Sequence, residues 1–525
     1  MTGMERTLWV MVVVALWLLV CFVCWRSQRS ATATGSLPAD GDKSILVAWA
    51  SQSGTAEQLA RHSAEILQAY CPVRLLPLSA VDEAVLRDTQ RAFFVASTYG
   101  EGEPPDNGVA FQRRYLNDSV SFDLSHLEFS VLALGDRAYQ RFCAFGRHLQ
   151  AGLERLGARP MGALTETDRQ ECPATDTLPD GWWQQLTQWA PQQQAAKDPA
   201  TRPQIASSPS QQWLLSSRET LNPGSPGAPL YRVSLTAVEQ LPEWRAGDIV
   251  EVQPCNSQDS CAAWLQQLGL EGSRLIELDG VIRPLASWLS ERQLPTGEAL
   301  AALQPRLSGA PESWLTELPL LPLREYSAAS VPAERELQLL VRLHCNELGE
   351  PGLGSGWLGQ HAQAGDIITT RLRSNPAFHG PDPGQPMILI GAGSGLAGLR
   401  AHLVERALSG RSGPNWLLFG ERSRRCDRLL EQELQQWLAS GHLARLDRVF
   451  SREEQLAEGE PRYVQDMLQR HRDDVHLWVS NGAAIYVCGS LNGMGSAVNA
   501  ALENMLGSRG LADLRESGRY RRDLY

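Results

Sequence analysis

The sequence predicts a multidomain α/β protein with an N-terminal transmembrane helix. The chain has 525 residues, enough for about three to four domains of ordinary size. An uncharged apolar run, Leu8–Trp25, reaches the length of roughly 18 residues that a membrane-spanning helix needs. Short apolar strands alternate with helical stretches over residues 43–190 and again over residues 385–525. This alternation is typical of parallel sheets covered by helices.

Composition and charge exclude several classes of protein. Hydrophobic residues make up 43% of the chain and charged residues 20%, which rules out a wholly disordered or collagen-like protein. The net charge of −11 gives no reason to expect nucleic acid as the main partner. Ten cysteines are too few for a disulfide scaffold. Cys21 and Cys24 have CxxC spacing but lie in the apolar run without a second pair, so we interpret them as membrane-buried thiols and predict no metal site.

The charges beside the apolar run predict its orientation. Arg26 and Arg29 follow the run directly, whereas Arg6 is balanced by an acidic neighbour before it. Positive charge therefore favours a single-pass helix in the inner membrane with the bulk of the protein in the cytoplasm. Residues 26–42 are small and polar and form a tether. A cleaved signal peptide is the alternative, kept open by the small residues at 31–35.

The rest of the chain divides into three folded regions and a linker. Residues 213–384 contain short strand-like runs typical of a β-barrel, and residues 191–212 are rich in Gln, Pro, Ser and Ala, as expected of a flexible linker. The candidate strands of the two α/β regions are Ser44–Ala50, Arg91–Ala96, Glu128–Leu134, Met387–Ile390, Trp416–Phe419 and Ala484–Val487. The candidate helices are Ala56–Tyr70 and Phe145–Leu156.

Three loops of the first α/β region indicate a ligand site. Ser51–Ala56 joins a strand to a helix, where hydroxyl and N–H groups suit a phosphate, although an ordinary capped turn has the same pattern. The next strands end in the loops Ser97–Asn107 and Leu134–Tyr139. Ligands of open α/β sheets bind at the carboxyl ends of strands, so we expect these loops to converge. Tyr99 and Tyr139 can then enclose a flat ring.

The three loops resemble those of the flavodoxin-like FMN domain of diflavin reductases, on the stretches SQSGTAE, STYGEGEPPDN and LGDRAYQRFCAFG. The resemblance implies an FMN phosphate site formed by Ser51, Gln52, Ser53, Gly54, Thr55 and Ala56. It implies that Tyr99 and Tyr139 flank the isoalloxazine. The other implied FMN contacts are Ser97, Thr98, Gly100, Gly102, Leu134, Gly135, Asp136, Phe142 and Cys143. Arg137 departs from the acidic or small residue usual in the family, which affects the surface expected to dock an electron acceptor.

The middle region carries Arg324-Glu-Tyr-Ser327 and, later, the Gly/Ser-rich loop Gly352–Leu358. An arginine fork can bind a pyrophosphate and a tyrosine can stack on a flavin, although a plain alternating strand has the same pattern. Together the two stretches resemble the FAD module of the ferredoxin-reductase superfamily. The implied FAD contacts are Arg324, Tyr326, Ser327, Leu353, Gly354 and Ser355. Diflavin reductases insert a helical connecting domain into this barrel, and residues 256–323 leave room only for a shortened one.

The last region begins with a strand, a glycine-rich turn and a helix over Met387–Gly398, a pattern typical of a nucleotide site. It resembles the NADP-binding domain of the same superfamily. The implied nucleotide contacts are Gly391, Gly393, Ser394, Gly395, Arg422, Ser451, Arg452, Tyr463 and Gln465. Arginines near the adenosine favour the 2′-phosphate of NADPH. Glu421 suits the free ribose hydroxyl of NADH, and Pro461 replaces a usual lysine, so NADH remains an alternative.

The chain ends in RYRRDLY, which an unstructured charged tail would also explain. It resembles the terminus of diflavin reductases of the sulfite reductase type, in which the last aromatic ring covers the FAD and moves aside for nicotinamide. The resemblance implies a hydride-transfer group of Ser327, Cys488, Asp523 and Tyr525. Ser490 stands where relatives have an aspartate after Cys-Gly.

The resemblance to diflavin reductases extends over residues 43–525 and also includes the cytochrome P450 reductases. It implies a flavodoxin-like doubly wound domain, an FAD-binding antiparallel β-barrel with a shortened helical insert, and a ferredoxin-reductase-type NADP-binding α/β domain. The implied activity passes electrons from NADPH to FAD, to FMN and to a one-electron acceptor, a haem protein or a membrane redox partner. A ferric-chelate or quinone reductase and a non-catalytic, membrane-tethered flavin-binding scaffold are the alternatives.

Overall fold

The structure is a computed structural model. It describes residues 44–117, 120, 122–137, 139–168, 178–188, 209–278, 280–307, 309–453 and 459–525. The predicted membrane helix at 8–25, the tether at 26–42, Cys21, Cys24 and most of the predicted linker lie outside the described residues. Within the described ranges, no helix has the length and apolar character required to cross a membrane.

The first α/β region contains a parallel sheet. Its strands are β1 (Ile45–Ala50), β2 (Val73–Pro77), β3 (Arg91–Ser97), β4 (Glu128–Gly135), β5 (Arg159–Pro160) and β6 (Thr165–Asp168). Their order is β2-β1-β3-β4-β5, with β6 also beside β4, which confirms the flavodoxin-like doubly wound sheet. Its helices are α1 (Thr55–Gln68), α2 (Glu83–Asp88), α3 (Val109–Phe111, continuing as a π turn), α4 (Ala144–Arg155) and α5 (Asp180–Gln188).

Helices cover both faces of this sheet, which is why β1, β3 and β4 are apolar almost throughout. On one face, Leu59 of α1 packs in a cluster with Trp182 of α5. On the other face, Phe111 and Leu149 belong to a second cluster. The buried indole N–H of Trp182 donates to Ser63 Oγ at 2.9 Å. Both faces are therefore closed, and the carboxyl edge of the sheet is left to its loops.

The middle region forms an antiparallel, barrel-like sheet with an insert. Its strands are β7 (Gln211–Thr220), β8 (Leu230–Ala237), β9 (Ile249–Val252), β10 (Leu275–Leu278), β11 (Val281–Pro284), β12 (Arg324–Ser327), β13 (Leu337–Arg342) and β14 (Ile367–Arg373). Six of them follow the order β12-β9-β14-β7-β8-β13. The buried Trp213 donates its indole N–H to Thr370 Oγ1 at 2.8 Å and packs edge-on against Trp244 inside the sheet.

The insert leaves the sheet after β9 and returns at β12, and these two strands pair with each other. It contains the β10–β11 hairpin and the helices α6 (Gln258–Leu268), α7 (Leu285–Ser290), α8 (Gly297–Leu303) and α9 (Pro311–Leu315). Trp264, Trp288 and Trp314 lie in one buried cluster. The short insert therefore has a hydrophobic core of its own. A further helical turn, α10 (Leu353–Gly356), precedes β14.

The last region is a five-stranded parallel sheet with the order β17-β16-β15-β18-β19. Its strands are β15 (Met387–Ala392), β16 (Asn415–Glu421), β17 (Leu443–Phe450), β18 (Ala484–Gly489) and β19 (Tyr520–Leu524). Its helices are α11 (Leu396–Leu408), α12 (Glu431–Ala439), α13 (Val464–Arg470), α14 (Arg472–Ser480) and α15 (Ser496–Glu516). The charged C-terminal segment, for which the sequence predicted no strand, forms β19 at the edge of this sheet.

Candidate functional site

The loop between β1 and α1 gathers hydrogen-bond donors at the start of a helix. Ser51 Oγ accepts bonds from the N–H groups of Gly54 at 3.0 Å and Ala56 at 3.2 Å. Gly54 has a φ of 89°, which glycine adopts without the strain of a side chain. Asn107 Oδ1 accepts from the Ser51 N–H at 3.0 Å and ties this loop to the loop after β3. Converging N–H groups at a helix N-terminus fit a phosphate.

The loops after β3 and β4 meet beside this turn. Tyr99 and Glu103 exchange backbone hydrogen bonds of 2.8 and 2.9 Å, which hold Tyr99 in a tight turn at 8% exposure. The Thr98 N–H donates to the Leu134 carbonyl at 2.8 Å. The structure therefore brings the three predicted loops to one edge of the sheet. A phosphate site beside a buried aromatic ring is an arrangement that fits FMN.

Cys143 packs beneath the third loop as a buried thiol. A Cβ on Gly135 would lie 2.6 Å from the Cys143 backbone nitrogen, so glycine is required for this close approach. The Cys143 thiol is buried and donates to the Ala133 carbonyl at 3.4 Å. Burial raises the pKa of this thiol to about 12. Cys143 is therefore a neutral packing residue of the loop.

The outer part of the third loop carries the residue that departs from the family pattern. Tyr139 is partly buried, and its N–H donates to the Asp136 carbonyl at 3.1 Å. The exposed Arg137 lies 3.4 Å from Asp168 Oδ2, and its guanidinium lies 5.3 Å from the centre of the Phe142 ring. A cation thus stands at this rim, but a neighbouring carboxylate balances it.

The two predicted FAD stretches are in direct contact. A Cβ on Gly354, in α10, would lie 2.6 Å from Tyr326 Oη and 2.7 Å from Arg324 Cγ. Glycine therefore lets the helical turn lie against the β12 side chains, a close approach that fits a pyrophosphate held between them. Leu353 is exposed at the same turn, whereas Ser355 Oγ accepts from the His344 N–H at 3.1 Å.

The four predicted hydride-transfer residues lie where the middle region meets the last one. Ser327 Oγ, on β12, donates to Asp523 Oδ2 at 2.6 Å. The Cys488 thiol, on β18, lies 3.7 Å from the same oxygen. Tyr525 follows β19, is half exposed and donates its hydroxyl to Ser394 Oγ at 2.9 Å. Three distant segments therefore form one cluster, named the hydride-transfer cluster below.

Burial decides the protonation of this cluster. It raises the pKa of the Cys488 thiol well above its usual value, and the Asp523 charge adds to the rise. Burial also raises the pKa of Asp523, and the hydrogen bonds from Ser327 and Cys488 oppose that rise. Cys488 is therefore a neutral thiol. Asp523 can be ionised or protonated, and its Oδ2 contacts both Ser327 and Cys488.

The glycine-rich turn after β15 packs directly against this cluster. A Cβ on Gly395 would lie 2.1 Å from the Cys488 carbonyl oxygen, and one on Gly391 would lie 2.8 Å from it. Gly393 has a positive φ of 60° and bends the chain between them. The turn can therefore approach the end of β18 because Gly391 and Gly395 have no side chains. The same turn places Ser394 within hydrogen-bond distance of Tyr525.

Residues predicted near the adenosine lie side by side at the carboxyl ends of β16 and β17. The Arg452 N–H donates to the Arg422 carbonyl at 2.8 Å, with Ser451 beside them. Arg452 is exposed and Arg422 is partly buried. Tyr463 is exposed at the start of α13, and Gln465 follows it. Two arginines and a serine on adjacent strand ends are residue types that fit a phosphate.

Glu421, the residue that made NADH an alternative to NADPH, already has an ion-pair partner within the protein. Its buried carboxylate is ion-paired with Arg342 of β13 and accepts the Arg422 N–H at 3.2 Å. Burial raises the pKa of Glu421, and Arg342 opposes that rise. The sequence analysis missed Arg342 because its partner is on another domain and no local motif marks the pair.

The sequence analysis also missed Arg522, the buried residue before Asp523. Its guanidinium contacts Glu103 at 3.1 Å and Asp106 at 2.7 Å, and both belong to the flavodoxin-like domain. The only local sign was a run of charged residues at the terminus.

The chain matches two known families and several full-length relatives. Residues 47–178 match the family described as flavodoxin, and residues 389–500 match the oxidoreductase NAD-binding domain family. A sulfite reductase (NADPH) flavoprotein alpha-component of Bacillus subtilis is 28% identical, with 94% of this chain and 92% of the relative aligned. The component from Neisseria meningitidis is 28% identical over 97% and 95%. That from Aliivibrio fischeri is 29% identical over 95% and 91%.

Proposed function

Because the chain belongs to the diflavin reductase family, we propose that it delivers electrons from NADPH to a one-electron acceptor protein at a membrane. It is an NADPH-dependent flavoprotein reductase that uses FAD and FMN. The observation that carries the proposal is the hydride-transfer cluster, in which Ser327 and Cys488 both contact Asp523 Oδ2. A buried carboxyl group is costly to keep unless it is hydrogen-bonded, and Asp523 accepts the Ser327 hydroxyl.

The cluster supplies a proton-holding and charge-stabilising surface. Bound FAD would supply a hydride acceptor for NADPH, and bound FMN would supply one-electron release. Ser327 donates its hydroxyl to Asp523 across the 2.6 Å bond, and Asp523 stabilises positive charge on the nicotinamide side. Tyr525 covers the cluster and excludes water while its hydroxyl is bonded to Ser394. Cys488 fills the floor of the site as a neutral thiol.

The nucleotide end of the site supports the choice of NADPH. Arg422, Ser451 and Arg452 offer donors to a 2′-phosphate. Glu421 is held by Arg342 and is not offered to a free ribose hydroxyl. Tyr525→Ala is expected to change the preference between NADPH and NADH, measured as the ratio of kcat/KM values. An unchanged ratio would contradict the proposed role of Tyr525 in nucleotide binding.

The membrane location rests on the sequence of the N-terminal segment. The run Leu8–Trp25 is uncharged, and Arg26 and Arg29 follow it. We propose a single-pass helix in the cytoplasmic membrane with the flavin domains on the cytoplasmic side, joined by the tether at 26–42. Such an anchor favours a haem protein or another redox protein in or near the same membrane as the acceptor.

The function is tested first with a chain lacking residues 1–42. FAD and FMN content per chain is measured, and reduction of an artificial one-electron acceptor is followed with NADPH and with NADH. We expect one of each flavin and a strong preference for NADPH. Less than one of either flavin contradicts the relay, and equal rates with both nucleotides contradict the NADPH assignment.

The acceptor is tested with the full chain in phospholipid vesicles. We expect turnover with a haem protein to exceed turnover with a quinone or a ferric chelate. A higher rate with the quinone or the chelate would replace the proposed acceptor by that class.

A further inference from the structure

The terminal strand β19 faces two domains. Successive side chains of a strand point to opposite sides. Asp523 and Ser327 form the 2.6 Å hydrogen bond on one side, within the hydride-transfer cluster. Arg522, the preceding residue, points away from that cluster and into the flavodoxin-like domain. A single strand therefore contacts the two sites between which electrons have to pass.

Arg522 contacts the flavodoxin-like domain through both its guanidinium group and its backbone carbonyl. Its Nη1 lies 3.1 Å from Glu103 Oε2 and its Nη2 lies 2.7 Å from Asp106 Oδ1. The guanidinium carbon lies 4.6 Å from the centre of the Tyr99 ring, within cation–π distance. Its carbonyl oxygen accepts from Gln52 Nε2 at 3.0 Å. These partners belong to the predicted phosphate loop and to the loop that carries the flavin-flanking Tyr99.

Burial distinguishes this contact from the other ion pairs between the same domains. The Arg522 side chain is 2% exposed, and its partners Asp106 and Glu103 are 14% and 49% exposed. Arg113 also reaches across, to Asp513 and Glu516 of α15, but its side chain is 45% exposed. Exposed pairs contribute little to stability, whereas breaking a buried pair by removing one partner leaves an uncompensated charge. Arg522 is therefore the polar contact on which docking of the domain depends most.

A smaller contact links the same docking surface to the end of the chain. A Cβ on Gly100 would lie 3.4 Å from the Leu491 side chain, and the Leu491 N–H donates to the Tyr525 carbonyl at 3.0 Å. The turn beside Tyr99 thus rests on a residue that holds the terminal tyrosine. Both contacts fix the position of the flavodoxin-like domain relative to the hydride-transfer cluster.

We infer that Arg522 is a positioning residue that docks the flavodoxin-like domain onto β19 for electron transfer between the flavins. The inference rests on the proposed relay. In the docked arrangement Arg522 bridges Glu103 and Asp106, and on release all three groups become hydrated with no charge left buried. The contact is therefore strong enough to orient the domain and reversible enough to let it leave for an acceptor.

The test follows the two reduction phases separately in the full chain loaded with both flavins. Arg522→Leu is mixed with NADPH in a stopped-flow instrument, and absorbance changes resolve reduction of FAD from the later reduction of FMN. We expect the later phase to slow by about tenfold or more, because a misplaced electron donor and acceptor lose rate steeply. The first phase is expected to change by less than about threefold. Equal slowing of both phases, or no slowing of the second, overturns the inference.

Matched variants separate loss of docking from a failure to fold. Arg113→Leu removes the exposed arginine of the same interface, and its second phase is expected to stay within about twofold of the parent chain. Glu103→Gln changes a surface residue of the other domain, so it remains informative if Arg522→Leu does not fold. It is expected to slow the second phase, and the double variant Arg522→Leu/Glu103→Gln is expected to be no slower than Arg522→Leu alone. Additive slowing overturns the pairing.

A scattering measurement gives a readout independent of turnover. The radius of gyration of the Arg522→Leu holoprotein is expected to exceed that of the parent chain, with Arg522→Lys between the two. An unchanged radius overturns the docking role. If the parent chain itself binds only one flavin, the proposed function fails instead, so the two failures are distinguishable.

Discussion

The loops after β1, β3 and β4, called the FMN-side site here, and the hydride-transfer cluster are built in opposite ways. The loops of the FMN-side site belong to one domain and bond to one another, as Asn107 does to Ser51 and Thr98 to Leu134. The hydride-transfer cluster instead takes Ser327 from the barrel, Cys488 from β18 of the nucleotide sheet, and Asp523 and Tyr525 from the C-terminal segment. The first site is thus a property of one domain. The second exists only while two domains and the chain terminus are packed together.

The largest expected effect disrupts the loop between β1 and α1. Gly54→Val places a branched side chain at a φ of 89°, with its Cβ 3.3 Å from the carbonyl oxygen of Ser374 in the barrel region. FMN content is expected to fall below about a tenth per chain with FAD retained, measured by fluorescence of the released flavins. Gly410→Val, also at a positive φ but facing open space, is the control and is expected to keep both flavins. Retention of FMN in Gly54→Val would contradict the phosphate site.

The next largest effect is expected from a change in the hydride-transfer cluster. Asp523→Asn keeps the shape of the side chain but removes its charge from the contacts with Ser327 and Cys488. The rate of flavin reduction by NADPH is expected to fall about 100-fold, while both flavins stay bound. Asp473→Asn, on the exposed side of α14, serves as control. A rate within about twofold of the parent chain would show that Asp523 only packs.

A smaller effect is expected at the residues predicted to bind the adenosine end of the nucleotide. Arg452→Ala removes an exposed guanidinium from the cluster that fits a 2′-phosphate. The KM for NADPH is expected to rise about tenfold, the loss of one charge-assisted contact, with the KM for NADH unchanged. Arg411→Ala, an exposed arginine after α11, is the control. Parallel changes for both nucleotides would move the phosphate site elsewhere.

The smallest effect concerns the pH dependence of the stability of the nucleotide domain. His402 of α11 is fully buried between Phe378 and Tyr486. Burial, with nearby positive groups at His379 and Arg406, lowers its pKa to about 3. Because the pKa is depressed, the stability from neutral His402 is fully present above about pH 6.5 and declines as pH falls toward the folded-state value.

Between pH 7 and pH 5 this decline amounts to about 2 kcal/mol. Denaturant unfolding followed in the nucleotide domain is expected to show the loss, and His402→Leu is expected to flatten the slope whatever its absolute stability. An identical slope in the variant would exclude His402 as the cause.

The sequence predicted what local patterns encode. The flavodoxin-like and nucleotide domains are confirmed, and the predicted strand at Glu128–Leu134 differs from the observed β4 by one residue. Runs of apolar residues buried on both faces are a strong signal. The sequence did not predict β19, because three of the five residues of Tyr520–Leu524 are charged and the charged Arg522 is buried against another domain.

The contacts that the sequence missed involve residues far apart in the chain. Arg342 and Glu421 lie on different domains, and Arg522 meets Glu103 from the opposite end of the chain. No spacing rule relates such residues, since the domain packing alone decides which charges meet. The prediction at 8–25 lies outside the described residues and stays a prediction.

The relay between the flavins is tested most directly by anaerobic titration of the fully loaded chain with NADPH. The account predicts that absorbance keeps falling until about two equivalents per chain have been added, because two flavins each take up an electron pair. Saturation at one equivalent, with both flavins present, would contradict the transfer of electrons from the hydride-transfer cluster to the FMN-side site.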